Sequence, residues 1–357
     1  MERLRALDLF SGCGGLSLGM ERAGFQVVYA NELNQDAALT YQKNFPDVLM
    51  DVCDIRKIEP DDVKRKIKSM KIDLIGAGPP CQGFSTLVKR NVRDPRNGLF
   101  RHLVRFVEYF APKAFVMENV TGLLSMNKGK TIENICDEFE SIGYHVAVDK
   151  LLASDFGVPQ DRTRVFIIGT TKKIPRVELF PKKNGHARVS VKKAISDLSF
   201  LGIGEYATTY QRRTFSEYQV MMRNNCAVLA NHESANHSER IQKRFMMIPP
   251  GMVAKKISGY DSGKRDCYKF DPSEPSKTVT TLPEDFIHYQ QNRIPTVREL
   301  ARLQSFPDDF VFLGPRTTGG AQRKHSCPQY TQVGNAVPPL LSQEVFANMK
   351  KILKKYY

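Results

Sequence analysis

Strand and helix signals alternate through the first 170 residues, and this alternation limits the chain to few folds. Arg5–Phe10 reads as a strand running into a Gly-rich turn, and Leu16–Ala23 as a helix closed by Gly24. Val27–Ala30 is a second strand, and Gln35–Asn44 a second helix ended by Pro46. Ile72–Ala77 is a strand stopped by Gly78-Pro79-Pro80. Leu99–Phe110 is helical, Ala114–Met117 a strand, Thr131–Ile142 a helix and Val165–Gly169 a late strand. The pattern predicts an α/β fold, a mostly parallel sheet with helices on both faces.

Beyond residue 170 the periodicity weakens, and Pro, Gly and charge are scattered. Regular signals return at Val297–Ser305, a short helix, and at Leu340–Leu353, an amphipathic one. The chain thus divides into a first domain over 1–170, a smaller loop-rich domain over 171–297, and a segment 298–357. The last carries the short helix and the amphipathic helix. At 357 residues there is length enough for two cores.

The formal net charge is +15, which favours a polyanionic partner through counterion release. Residues 171–290 hold 20 Lys and Arg against 12 Asp and Glu, about twice the charge density of the rest. That segment is the better candidate for lying on phosphates. The seven cysteines (13, 53, 81, 136, 226, 267 and 327) form no C-x-x-C pair, so neither a zinc site nor a disulfide framework is expected. No apolar run is long enough to cross a bilayer, and no signal region follows Met1. A cytoplasmic, nucleoid-associated protein is expected.

Six segments carry candidate chemistry. Asp8-Leu-Phe-Ser-Gly12-Cys-Gly14-Gly15-Leu16 takes a strand through a Gly-rich turn into a helix, where backbone can approach a ligand. The dinucleotide fingerprint fails because Ser17 stands where its last Gly would be. Glu32, ending the next strand, is placed for ribose hydroxyls, and Asp54-Ile55 for an adenine. Cys81 lies in the turn Gly78-Pro79-Pro80-Cys81-Gln82-Gly83-Phe84-Ser85, at the rim where open α/β sheets bind ligands. The basic stretch after it holds Lys89, Arg90, Arg93 and Arg96 and reads as a lid over an anion. Glu118-Asn119-Val120 follows directly on a strand, so a carboxyl and a thiol stand at neighbouring strand ends. Arg162 and Arg164 alternate before the late strand and share one face of an extended segment. Arg298-Glu299…Arg302…Gln304 and Gln332-Val-Gly334-Asn335-Ala336-Val-Pro338-Pro339 complete the set.

Taken in order, these segments resemble the motifs of the bacterial DNA (cytosine-5)-methyltransferases, over Leu7 to Leu341. The resemblance implies a Rossmann-like, S-adenosylmethionine-dependent catalytic domain over 1–170, a target recognition domain over 171–297, and over 298–357 a support helix for the second domain and a return to the first. It implies S-adenosyl-L-methionine as cofactor, lined by Phe10, Ser11, Gly12, Gly14, Gly15, Leu16, Glu32, Leu33, Asp54, Ile55, Pro79, Asn335 and Ala336. Phe10 would lie against the adenine. The residue after the ribose-binding Glu is often a large aromatic in the family, and here it is Leu33. Cys81 would be the nucleophile, Glu118 the group at cytosine N3 and Arg164 a contact to O2, with Arg162 beside it. Candidate DNA contacts are Gln82, Ser85, Lys89, Arg90, Arg93, Arg96, Arg212, Arg213, Lys264, Arg265 and Thr280. Double-stranded DNA is the expected partner, with a cognate restriction endonuclease as a possible second. No metal and no membrane are expected.

Chemistry supports these roles independently. Cytosine C5 is a poor nucleophile until a thiolate adds at C6 and makes the ring enamine-like. That addition places charge at N3 that a raised-pKa carboxyl can neutralise, and Arg at O2 stabilises the same charge. C6 is unreachable in stacked DNA, so the base must flip out, at roughly a few kcal/mol. Two other readings are RNA (tRNA) cytosine methylation and a non-catalytic DNA-binding regulator. The tRNA branch typically carries a Cys-Phe-Thr signature, which is absent between 171 and 330. The presence of Cys81 and Glu118 argues against a regulator.

Overall fold

A computed structural model of the chain describes residues 3–80, 98–183, 185, 187–257, 266–317 and 326–357. The elements run β1 (Arg5–Leu9), α1 (Gly15–Arg22), β2 (Gln26–Glu32), α2 (Gln35–Asn44), β3 (Leu49–Val52), α3 (Pro60–Lys66), β4 (Leu74–Ala77), α4 (Phe100–Phe110), β5 (Ala114–Val120), α5 (Lys130–Ser141) and β6 (His145–Leu152). After them come β7 (Gln160–Asp161), β8 (Thr163–Thr170) and α6 (Arg176–Leu179). Seven strands form one sheet in the order β3-β2-β1-β4-β5-β8-β6. It is parallel from β3 to β5, and β8 runs antiparallel to both β5 and β6. The mostly parallel sheet expected from the alternation is present.

Side-chain period along the central strands sorts the two faces. Leu7 and Leu9, Ile75 and Ala77, Phe115 and Met117, and Val165 and Ile167 point one way. They share a core with Val63 of α3, Leu103 and Phe106 of α4, and Ile135 and Phe139 of α5. The opposite face carries Asp8 and Gly76. A methyl group on Gly76 would meet Met20 of α1 at 2.6 Å. The C-terminal helix α12 (Pro339–Tyr356) packs on α1, and a Cβ at Gly19 would fall 2.1 Å from Ser342 Oγ. Ser342 Oγ donates to Leu16 O at 3.1 Å and Lys350 Nζ to Ala23 O at 3.0 Å, which ties α12 along the whole of α1.

Two compact units are present. The first comprises 1–152, 163–184 and 339–357, and the second 153–162 and 185–338. This division departs from boundaries at 170, 297 and 298. The segment 298–338 belongs with the second unit, and the chain rejoins the first only at Pro339. The second unit is built of short pieces: α7 (Val191–Ile195), α8 (Glu217–Arg223), α9 (Glu239–Met246), β9 (Tyr268–Lys269), β10 (Ser276–Lys277), β11 (Phe286–Ile287), α10 (Val297–Leu303) and α11 (Gln329–Asn335). Strands β7 and β10 pair, as do β9 and β11.

Buried ion pairs supply much of the second unit's interior. Arg293 binds Glu299 through both terminal nitrogens at 2.8 Å, and Arg302 binds Asp197 and Asp308, all with side chains fully buried. Arg298 places its guanidinium on the carbonyls of Ala230, Pro307 and Phe310. Such pairs are costly to break once formed, because a lone buried charge remains. Thr296 and Glu299 also form a reciprocal capping box at the start of α10.

Candidate active site

In the first unit the strand order reverses between β1 and β4, which opens a crevice beyond their carboxyl ends. β1 leaves the sheet through Phe10, which has φ of 56°, and Gly12 at 57°. Gly14, at 104°, cannot carry a side chain, since its Cβ would stand 2.4 Å from the Phe45 ring. Ser11 is held by its N–H and hydroxyl to Asn31 O, at 2.9 and 3.2 Å. Helix α1 then begins at Gly15, and Leu16 is buried in its first turn.

Glu32 ends β2 and faces this turn. Its Oε2 accepts Gly12 N at 2.9 Å and its Oε1 accepts Asn34 N at 2.8 Å. Burial raises its pKa, and these backbone donors oppose the rise. A backbone bond from Leu33 also reaches the carboxylate. Leu33 beside it is 66% exposed. At the end of β3, Asp54 starts a 3-10 turn over Ile55–Lys57 and pairs with the Arg56 guanidinium through both oxygens. The hydrogen bond from Arg56 draws its pKa down to about 2.

The same crevice reaches Glu118. Strand β5 continues three residues past the expected Met117, so Glu118 lies inside the sheet, opposite Phe166, rather than after the strand. Arg164 lies within β8, diagonal to it, with Nε 2.9 Å from Glu118 Oε1 and both side chains nearly buried. Burial lowers the Arg164 pKa and Glu118 opposes it. At the end of β4, a methyl group on Gly78 would lie 3.8 Å from Glu118 Oε2, 3.9 Å from Leu16 Cδ1 and 3.9 Å from Phe10 O. A single glycine thus separates the Gly-rich turn from the carboxylate. Pro79 is buried and its carbonyl accepts Asn119 Nδ2 at 3.3 Å.

Arg162 directly follows β7. It is 1% exposed, and its guanidinium donates to Val279 O at 2.9 Å and Gly334 O at 2.8 Å, all within the second unit. It thereby orders the backbone of both segments. Asn335 and Ala336 stand at the end of α11 in the second unit. There too, Thr280 commits its hydroxyl to Asp285 Oδ2 at 2.6 Å, while Arg212 and Arg213 are exposed. Cys81, Gln82, Ser85, Lys89, Arg90, Arg93, Arg96, Lys264 and Arg265 lie outside the described residues. Sequence reasoning missed Asn31, whose buried amide donates to Asp51 O and Cys53 O, and Ser17, which bonds Asp8 at 2.6 Å. Neither sits in a spacing that marks a motif.

The model of the C-5 cytosine-specific DNA methylase family matches residues 4–351. The chain belongs to that family. Within this DNA methylase family it is 39% identical to the Type II methyltransferase M.DdeI of Desulfomicrobium norvegicum, over 95% of this chain and 87% of that one. It is 38% identical to M1.HphI of Haemophilus parahaemolyticus, over 96% and 85%. A crystal structure described as a candidate DNA modification methyltransferase encoded within an E. coli prophage superposes with a TM-score of 0.80. Its identity is 29%, covering 98% of this chain and 99% of that one. The Dnmt2 methyltransferase of S. pombe has a TM-score of 0.61 at 18% identity and shares the fold. As a family member, this DNA methylase is a DNA (cytosine-5)-methyltransferase with a Rossmann-like catalytic fold. Among the described residues no helix is long and apolar enough to cross a membrane, and no acidic, His or Cys group could hold a metal.

Proposed function

We propose that this DNA methylase takes its methyl group from S-adenosyl-L-methionine and methylates a flipped-out cytosine through Cys81. The observation that carries this reading is the convergence at Gly78, where the Gly-rich turn, Leu16 and Glu118 meet. The residues present suit the cofactor. Glu32, held by backbone at the rim, offers its carboxylate to ribose hydroxyls, Phe10 and exposed Leu33 offer apolar contact to a base, and Asp54 and Ile55 offer an acceptor and a donor. Gly12, Gly14 and Gly15 allow backbone approach, and buried Pro79 walls the crevice. When bound, the cofactor supplies an electrophilic methyl carbon.

The protein's own residues prepare the acceptor. Cys81 as thiolate adds to cytosine C6 and pushes electron density onto C5 and N3. Glu118 meets the charge at N3, and Arg164 both orients Glu118 and stabilises charge at O2. Once the methyl group is on C5, loss of the C5 proton and departure of the thiol restore aromaticity. Duplex DNA is the substrate, and Lys89, Arg90, Arg93 and Arg96 supply cations for its phosphates. Sequence choice belongs to the second unit, where Arg212, Arg213, Lys264, Arg265 and Thr280 are the contacts offered. The protein acts on the nucleoid, partnered with a restriction endonuclease of the same target.

Incubation with methyl-labelled cofactor and either duplex DNA or tRNA tests the reading. Label should enter DNA at cytosine C5 without added metal and in the presence of a chelator. Label in tRNA alone would replace this substrate assignment. Exchanging residues 185–338 for those of a relative with another target should move the methylated site.

A further inference from the structure

One short turn carries two of the residues assigned to the cofactor's base. It covers Ile55–Lys57, with Asp54 as its cap. Its internal backbone bonds are few, Lys57 N to Asp54 O and Ile58 N to Ile55 O. So small a 3-10 turn cannot set its own direction, and its placement must come from outside. On the side leading in, Asn31 is 2% exposed and its Nδ2 donates to Asp51 O at 3.1 Å and Cys53 O at 2.9 Å. On the side leading out, Arg105 of α4 donates from Nη2 to Ile55 O at 3.1 Å and Ile58 O at 2.5 Å. Those carbonyls bracket the turn, so one guanidinium nitrogen fixes both its ends.

Arg105 has little else to hold it there. Its Nη1 lies 3.4 Å from Glu59 Oε1, a long contact to an exposed carboxylate. Its buried Nε has no hydrogen-bond partner among the described residues. The guanidinium is committed to the turn's carbonyls. A buried donor left unmatched is tolerated where the rest of the group is fixed by its other bonds.

We propose that Arg105 is a positioning residue for base recognition: it aims Asp54 and Ile55, so that the pocket discriminates adenine from other purines. This rests on the assignment of those two residues to the cofactor's adenine. An acceptor and a donor on adjacent residues read a purine edge only when the turn is held to within about half an ångström. Loosening it should weaken base reading without touching the Glu118–Arg164 pair.

The test uses the full-length protein and two ligands, S-adenosylhomocysteine and S-inosylhomocysteine. The inosine base presents an oxygen and an N–H where adenine presents an amine and an acceptor nitrogen. Wild type should prefer the adenosyl ligand. Arg105→Met keeps a stem of apolar atoms and removes the donors. It should bind the adenosyl ligand about tenfold more weakly and the inosyl ligand almost unchanged, with turnover at saturating cofactor within about twofold. A structural role would instead lower the melting temperature and both affinities together, and that result overturns the proposal. Arg105→Gln, too short to reach both carbonyls, gives the same comparison should the Met variant fail to fold. Wild-type preference with an unchanged ligand ratio in the variant overturns the role of Arg105 alone. Absence of preference in wild type, with Glu32→Ala binding as tightly, overturns the cofactor-site reading and this inference with it.

Discussion

Arg164 Nε stands 2.9 Å from Glu118 Oε1, diagonally across the antiparallel pair β5 and β8. Sheet geometry fixes this pair before any substrate arrives, because diagonal neighbours on one face lie within reach of long side chains. The carboxylate and its paired guanidinium are therefore held in place by the sheet itself.

Glu118→Gln keeps the shape and a hydrogen-bond donor but removes the acid. Turnover should fall by about 10²-fold or more, while cofactor affinity and DNA affinity stay near wild type. Single-turnover methylation measures the chemical step. A variant that methylates at the wild-type rate would show that Glu118 only ties the strands.

The two units should respond oppositely to acid. In the second, burial depresses His232 to about 4 and His288 to about 3. The unfolded chain takes up these protons near pH 6.5, so stability is full above that pH and falls as pH drops toward 4. Glu299 adds a further loss only below pH 4.5: burial would raise it, but Arg293 holds it at about 2. In the first unit, burial raises Asp8 to about 7 against its bonds from Ser17. That contribution is present below about pH 4 and is lost as pH rises through 7. Hydrogen exchange at pH 7.5 and 5.5 should show the second unit losing about 2 kcal/mol of protection at the lower pH and the first gaining protection. Equal losses would contradict the assignment of neutral, buried histidines.

Gly334→Ala should be destabilising. Its Cβ would fall 2.3 Å from Thr280 O, and backbone on backbone has no cheap relief. The shift would also disturb the Arg162 bond to Gly334 O. A loss of about 1–3 kcal/mol in chemical denaturation is expected. Unchanged stability would mean the segment moves freely.

The sheet and its rim were legible because hydrophobic period and Gly/Pro breaks report on local backbone. Strand β6 escaped notice because an edge strand, His145–Leu152, mixes exposed and half-buried positions and shows no clean alternation. Helix α3 had a Pro at its first position and Asp61 and Asp62 after it, a start signal too brief to compete with the surrounding charge. Arg162 and Arg164 read alike in sequence, since spacing cannot say that one binds backbone carbonyls and the other a carboxylate. Most opaque was the second unit. Arg293, Arg298, Glu299, Arg302 and Asp308 are charged, yet all are buried; Arg293 and Glu299 pair with each other, and Arg302 reaches both Asp308 and the distant Asp197. Charge in a sequence reads as surface unless its partner is known.

The account stands or falls on the nucleophile. A duplex carrying 5-fluorocytosine at the target base blocks loss of the C5 substituent, so the covalent species should accumulate. Mass spectrometry of the digested complex should place the nucleotide on Cys81, and Cys81→Ser should yield no adduct while still binding cofactor. An adduct on any other cysteine, or methylation by Cys81→Ser, would contradict it.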